Sequence, residues 1–171
     1  HLTPKPLSYY VLYKRPEWEG YPIDTRAQTE WVADKFYTIA KPSAMFHPLV
    51  YRGHAEYQLF IQYNLDSRPT LENTSLIAAS TLGFCFSLGF APIYIPYIIN
   101  LHASLVKNGV IIRTYEYHRD ISTYASLIMP PLLENSPRRI DRYYDIIYDD
   151  FFMQLLADMR RDGALESESS E

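Results

Sequence analysis

Cysteine, glycine and surplus basic charge are all scarce in this chain. One cysteine, Cys85, excludes an intrachain disulfide framework and any multi-cysteine zinc ribbon. Six glycines leave little material for loops that cradle phosphate, and no P-loop, G-x-G-x-x-G, G-x-S-x-G or H-E-x-x-H pattern occurs. Sixteen Lys and Arg stand against twenty Asp and Glu, a formal net charge of −4. Three of those acids, Glu166, Glu168 and Glu171, fall in the last eight residues, so residues 1–163 are nearly neutral. The adjacent pair Arg138-Arg139 is too little to neutralise a phosphate backbone, and no nucleic-acid partner is expected.

What is present is an ordinary supply of apolar residues and an unusual supply of tyrosine. The chain has 171 residues, 47% of them hydrophobic, enough for one core burying roughly 70% of the unfolded surface. Disorder and collagen are excluded by composition. Sixteen residues are Tyr. Tyrosine joins a large apolar body to a polar tip, which suits both a sheet–helix core with hydroxyls at its rim and an interaction surface. Both roles stay open on the sequence alone.

Residues 1–6 carry two prolines and read as an irregular lead-in. Leu7 to Lys14 reads as a strand, and Pro16 with Gly20-Tyr21-Pro22 as a loop. Thr25-Arg26-Ala27-Gln28 has the form of a capping box. After it, Val32, Phe36, Ile39 and Ala40 recur at helical spacing until Lys41-Pro42. Phe46–Tyr51 and Ala55–Leu65 are expected strands. In the second, Tyr57, Leu59, Ile61 and Tyr63 alternate with mostly polar residues, the pattern of a half-buried sheet, and Arg68-Pro69 ends it.

Asn108-Gly109 between two strand-like runs predicts a two-residue hairpin turn, since both central residues must tolerate positive φ. The implied register sets Leu105 against Ile112 and His102 against Tyr115. Ser136-Pro137 opens a helix whose stripe is Ile140, Tyr144, Ile147, Phe151, Leu155 and Met159, widened by Tyr143, Tyr148 and Phe152. Asp141, Asp145, Asp149 and Asp158 fall mostly on the opposite, solvated side. Gly163 stops the helix after about 26 residues, roughly 39 Å, and 164–171 is expected to be a flexible acidic tail. The expected architecture is a single α+β domain over 1–163. It has a four- to five-stranded, mostly antiparallel or mixed sheet, with an N-terminal helix and a long C-terminal helix packed on it.

Between Glu72 and His102 no side chain carries a formal charge. Leu76 to Ile99 is long enough for a membrane helix, but Pro92 and Pro96 break its second half. The reading is a helix or hairpin at about 76–90, a Pro-bounded turn and a central strand, with contact to a bilayer or partner as the alternative. Candidate contact residues are Phe84, Phe86, Phe90, Tyr94 and Tyr97 in this window, and Tyr148 and Phe152 on the last helix.

No catalytic, metal-ligating or cofactor-binding residue is assigned, and no cofactor is expected. His54 and Glu56 share a strand face but lack a third ligand. In the hairpin register His102 shares a face with Arg113, Tyr115 and Tyr117, while His118 lies opposite with Glu116. Cys85, among Phe84, Phe86 and Leu88, is expected to be a buried structural thiol.

Residues Ala55–Gly163 together resemble a group of poorly characterised bacterial envelope lipoproteins of outer-membrane type. The likeness rests on the strand AEYQLFIQYN, the stretch TLGFCFSLGFAP at Thr81 to Pro92, and the Asn-Gly turn leading to Tyr115-Glu116-Tyr117. It closes on the Ser-Pro-started helix ending LLADMRRDG. Such proteins often carry Trp after the Tyr-x-Tyr strand, where this chain has Tyr124. The resemblance implies a non-enzymatic protein lipid-anchored through a cysteine upstream of His1, on the periplasmic side of the outer membrane. Its partners would be envelope proteins, as an interaction or structural subunit of an assembly such as a secretion or motor complex. A small ligand-binding module with a tyrosine-lined sheet face is the second expectation, and an enzyme the third.

Overall fold

Alternating apolar residues in β1 and β3 build the centre of a five-stranded mixed sheet, seen in a computed structural model. The structure describes residues 4–14, 25–66, 71–88, 90–125 and 137–165. The loop expected at Pro16 to Pro22, the stop at Arg68-Pro69, the cap at Ser136 and the tail from Glu166 lie outside them, as does the start of the lead-in. The elements are β1 (Lys5–Tyr13), α1 (Arg26–Ala40), a 3-10 turn (Lys41–Ser43), β2 (Phe46–Tyr51), β3 (Tyr57–Asp66), α2 (Leu71–Phe86), β4 (Ile93–Lys107), β5 (Val110–Ala125) and α3 (Pro137–Arg161). The sheet order is β2-β1-β3-β4-β5. The chain groups into two compact units, one of His1–Asn64, Leu101–Tyr117 and Ile146–Glu171, the other of Leu65–Asn100 and His118–Asp145.

In the first unit, β1 runs parallel to both neighbours, pairing Tyr9 with Tyr51 of β2 and with Leu59 of β3. Parallel strands need a crossover, and α1 supplies it between β1 and β2. The chain then passes from β2 to β3 in the five residues 52–56, across the Ser8 side of β1. The Arg52 N–H donates to the Tyr9 carbonyl at 2.9 Å, and the Tyr10 hydroxyl donates to the Gly53 carbonyl. Ser8 is fully buried beneath this crossing. The backbone comes so close that a Cβ built on Gly53 would lie 2.6 Å from Val50 Cγ1. Any larger residue there has to displace the Val50 side chain.

The opposite face of β1 and β3 presents Leu7, Tyr9, Val11, Tyr57, Leu59, Ile61 and Tyr63, all buried. Val32, Phe36 and Ala40 of α1 and Phe151, Phe152, Leu155 and Met159 of α3 complete this core. Rings meet between the layers: Tyr9 with Phe36 at 4.9 Å, Phe36 with Phe152 at 5.4 Å, and Tyr63 with Tyr148 at 6.0 Å. Aromatic pairs at these separations stabilise by about 0.5–1.5 kcal/mol each beyond burial.

Three buried rings also place their hydroxyls in hydrogen bonds, whereas those of Tyr51 and Tyr115 are buried without one. Tyr9 donates to the Ala33 carbonyl of α1 at 3.4 Å, Tyr63 and Thr29 share a hydrogen bond at 3.1 Å, and Tyr117 donates to Asp158 Oδ2 of α3 at 2.8 Å. Thr29 is thereby used from inside α1. The expected capping box does not form: Thr25 is the N-cap residue but makes no side-chain cap bond. Its carbonyl accepts from the Thr29 N–H at 2.8 Å.

The hairpin turn is as the sequence predicts, with Asn108 at φ 51° and Gly109 at 82°. The Asn108 N–H donates to the Glu56 carbonyl at 3.2 Å, which ties the end of β4 to the start of β3 and makes that pair antiparallel. The register differs from strict two-residue pairing. His102 Nε2 lies 3.6 Å from Glu116 Oε1, while Tyr115 and Tyr117 are buried on the other face. Leu105 and Val106 are both buried in succession, a break in the alternation of β4. Ala164 and Leu165, expected at the start of the tail, are buried.

Two measurements check this packing. Gly53→Ala should lower stability by about 1–3 kcal/mol through overpacking, and adding Val50→Ala should recover part of the loss in a denaturation-based double-mutant cycle. Burial first, then the Asp34 carboxylate, raises the Tyr9 phenol above its ordinary value of 10.0. Burial first, then the hydrogen bond to Asp158, raises Tyr117. A phenol whose pKa rises on folding holds its proton more tightly in the folded chain. The stability it contributes is complete below about pH 10 and is lost as pH climbs toward the folded value. Urea midpoints should therefore fall above pH 10, and Tyr9→Phe should flatten that fall.

Candidate functional site

In the second unit, α2 follows directly from a run of Leu, Ile, Ala and small polar residues with no charge after Glu72. Ile77, Ser80, Gly83 and Phe84 share its sheltered arc, at helical spacing. Ser80 Oγ accepts the Tyr94 N–H at 3.0 Å, and a Cβ on Gly83 would sit 3.8 Å from Ala91, so this arc rests against the chain entering β4. The outer arc, Thr74, Ser75, Ala78, Ala79, Leu82, Cys85 and Phe86, faces outward. Most large apolar side chains on a folded surface are scattered singly. Here Leu82 is 58% exposed, Phe86 85%, Leu88 80% and Phe90 61%, within nine residues.

The helix closes through a compact turn. Ser87 N–H donates to the Gly83 carbonyl at 3.0 Å, Leu88 N–H to Cys85 at 3.2 Å and Phe90 N–H to Ser87 at 3.2 Å. The Ala91 N–H donates to Ser87 Oγ at 2.7 Å. Leu88 takes φ 54°, in the left-handed region, which swings its side chain away from the helix body. Pro92 follows before β4, a position where it removes no ladder hydrogen bond.

Of the sequence-predicted contact residues, Phe86 and Phe90 are exposed on this tip, and Phe84, Tyr94 and Tyr97 are half-buried. Tyr148 and Phe152 are 3% and 0% exposed and belong to the core of the first unit, so they offer no contact surface. Size and apolar character, the features that mark them in the sequence, serve a core equally well. Leu82 and Leu88 join the tip; the charge-free run that marked their neighbours marks them too. Cys85 is exposed, against expectation. Its apolar sequence neighbours do not surround it, because the helical turn places it on the outer arc.

Polar groups are engaged elsewhere. Glu56 pairs with Lys107 at 3.8 Å, and His54 is exposed. Among the described residues no three His, Cys, Asp or Glu side chains converge as a metal site would require. The acidic side of α3 is partly tied down: Lys35 Nζ lies 3.0 Å from Asp149, and Asp158 receives both Tyr117 and Arg161, the latter at 2.9 Å. A groove of about 470 Å³ between α1 and α3 is lined by Trp31, Ile39 and Met153 and crossed by the Lys35–Asp149 pair. The buried tyrosines of β1, β3 and β5 face the helices, so they form no open ligand-binding face. No helix among the described residues is long and apolar enough to cross a membrane.

No family model matches the chain, and no curated protein matches it. Solved structures do. A Xanthomonas campestris protein of the family model DUF330 superposes with a TM-score of 0.57 at 11% identity, over 98% of this chain and 91% of that one. A minor lipoprotein from Acinetobacter baumannii reaches 0.50 at 13% identity, covering 95% of each chain. A homolog of neuraminyllactose-binding hemagglutinin from Helicobacter pylori reaches 0.50 at 8%, over 92% of this chain and 88% of the other. At these identities the likeness is one of fold.

The division between tip and core is measurable. Phe152→Ala should cost about 3–5 kcal/mol of unfolding free energy. Phe86→Ala should stay within about 0.5 kcal/mol of the parent in the same urea titration.

Proposed function

We propose that this chain is a non-enzymatic cell-envelope lipoprotein that works as a binding subunit, with the α2 tip as its contact surface. The observation that carries the reading is the cluster of Leu82, Phe86, Leu88 and Phe90, exposed together on a stretch without a formal charge. Exposing such side chains costs solubility and adds nothing to a core, so a surface of this kind marks an interaction site. The fold shared with a minor lipoprotein supports the envelope setting, as do the sequence motifs from Thr81 to Gly163. In this reading a cysteine upstream of His1 carries the lipid, the domain lies on the periplasmic side of the outer membrane, and the chain serves an assembly such as a secretion or motor complex.

The test is recovery with the envelope fraction. Phe86→Asp with Phe90→Asp should reduce co-recovery by about tenfold or more, the loss of a contact of about 1.4 kcal/mol, with the far-ultraviolet helical signal unchanged. Undiminished recovery removes the tip from the proposal. Mass spectrometry of the mature N-terminus checks the anchor: an acylated cysteine supports it, and a cytosolic start without one defeats it.

A further inference from the structure

Two helices laid side by side on a sheet leave a furrow between them, and its chemistry follows from the residues each presents. Along α1, Trp31, Lys35 and Ile39 recur every fourth residue, which sets an indole, an ammonium and a branched chain in line on one face. Asp149 and Met153 of α3 answer them at the same spacing. The furrow holds about 470 Å³, within the roughly 300–1,000 Å³ of small-molecule sites. Its apolar lining is open to solvent, with Met153 56% exposed. Trp31 stands edge-to-face with buried Tyr148, ring centroids 5.5 Å apart at 87°, which fixes the indole in place. The charges in the furrow are unequal. Lys35 Nζ lies 3.0 Å from Asp149 Oδ1 and 5.9 Å from the centre of the Trp31 ring. An indole beside a carboxylate favours an ammonium ion, and the chain's own lysine already takes one such place. Asp34 lines the furrow as well, and among the described residues no cation pairs with its carboxylate. Thr38, one turn on, donates its hydroxyl to the Asp34 carbonyl at 2.8 Å and retains acceptor capacity. Two carboxylates thus stand against one ammonium.

From this imbalance we infer that the groove binds a small organic ammonium ion, its apolar body against Trp31, Ile39 and Met153 and its charge at Asp34. An anion would meet two carboxylates. A purely apolar ligand would cover Asp34 without pairing it, at the cost of burying a bare charge. The groove belongs to the first unit and the α2 tip to the second, so its ligand is independent of the contact surface proposed above.

Titration of the full chain with phenethylammonium chloride tests this. The chain has two tryptophans, so in a Trp18→Phe background the fluorescence reports Trp31 alone. Emission should change saturably with the ammonium and more weakly, by about threefold to fivefold in affinity, with neutral phenethyl alcohol. Phenylacetate, the anion of similar shape, should bind more weakly still. Asp34→Asn, at an exposed side chain that spares the fold, should weaken ammonium binding by about threefold to fivefold. Raising salt to about 0.5 M should weaken it too, because the pair is screened. Lys35→Met keeps the apolar stem but leaves Asp149 without its cation, and should tighten ammonium binding by about threefold to fivefold. A passive apolar furrow gives no such gain. Urea midpoints check that each variant is folded, and the ligand series with Asp34→Asn decides the matter even if Lys35→Met is not. Equal affinity for the alcohol, preference for phenylacetate, or parental affinity in Asp34→Asn overturns the inference. So does the absence of any saturable change up to about 10 mM ammonium.

Discussion

The buried tyrosine hydroxyl is the constraint around which the first unit is organised. A phenol ring stabilises a core by its area, and where its oxygen finds a partner the bond offsets the cost of burying it. Tyr9, Tyr63 and Tyr117 rise from three strands and end on α1 or α3, at Ala33, Thr29 and Asp158. Each bond fixes a helix against a strand at one place along its length. The aromatic layer therefore locates the helices as well as attracting them.

The same economy explains the charged residues. Lys35 of α1 reaches Asp149 of α3 and Lys107 of β4 reaches Glu56, so these two pairs bridge elements, while Arg161 reaches Asp158 within α3. Exposed pairs of this kind contribute little individually. Asp158, whose side chain is 16% exposed and which also takes the Tyr117 hydroxyl, is better placed than the others. Against this background the α2 tip stands apart. It carries no formal charge, and its Ser80, Thr81 and Ser87 hydroxyls donate to carbonyls of their own helix.

Much of the architecture was legible along the chain. The alternation in β3, the 3.6-residue stripe of α3 and the Asn-Gly turn are local patterns, and local patterns survive folding when one face is buried. What failed were inferences about neighbours. His102 lies by Glu116 rather than by Tyr115, and no short motif announces that. Cys85 was expected inside because its sequence neighbours are apolar, yet a helix sends adjacent residues in different directions. Tyr148 and Phe152 looked like contact residues because size and apolarity are common to cores and interfaces.

The sequence by itself determined the elements, the α+β class, the charge-free window and the lack of a motif for known catalytic chemistry, since these depend on composition and on spacings shorter than a turn or a strand. Tertiary structure alone decided the crossing of residues 52–56 over Ser8, the choice of which aromatics are buried, and the exposure of Phe86, Leu88 and Phe90. Burial is a relation between distant segments, and only the packed sheet and helices say which apolar surface has found a cover and which has not.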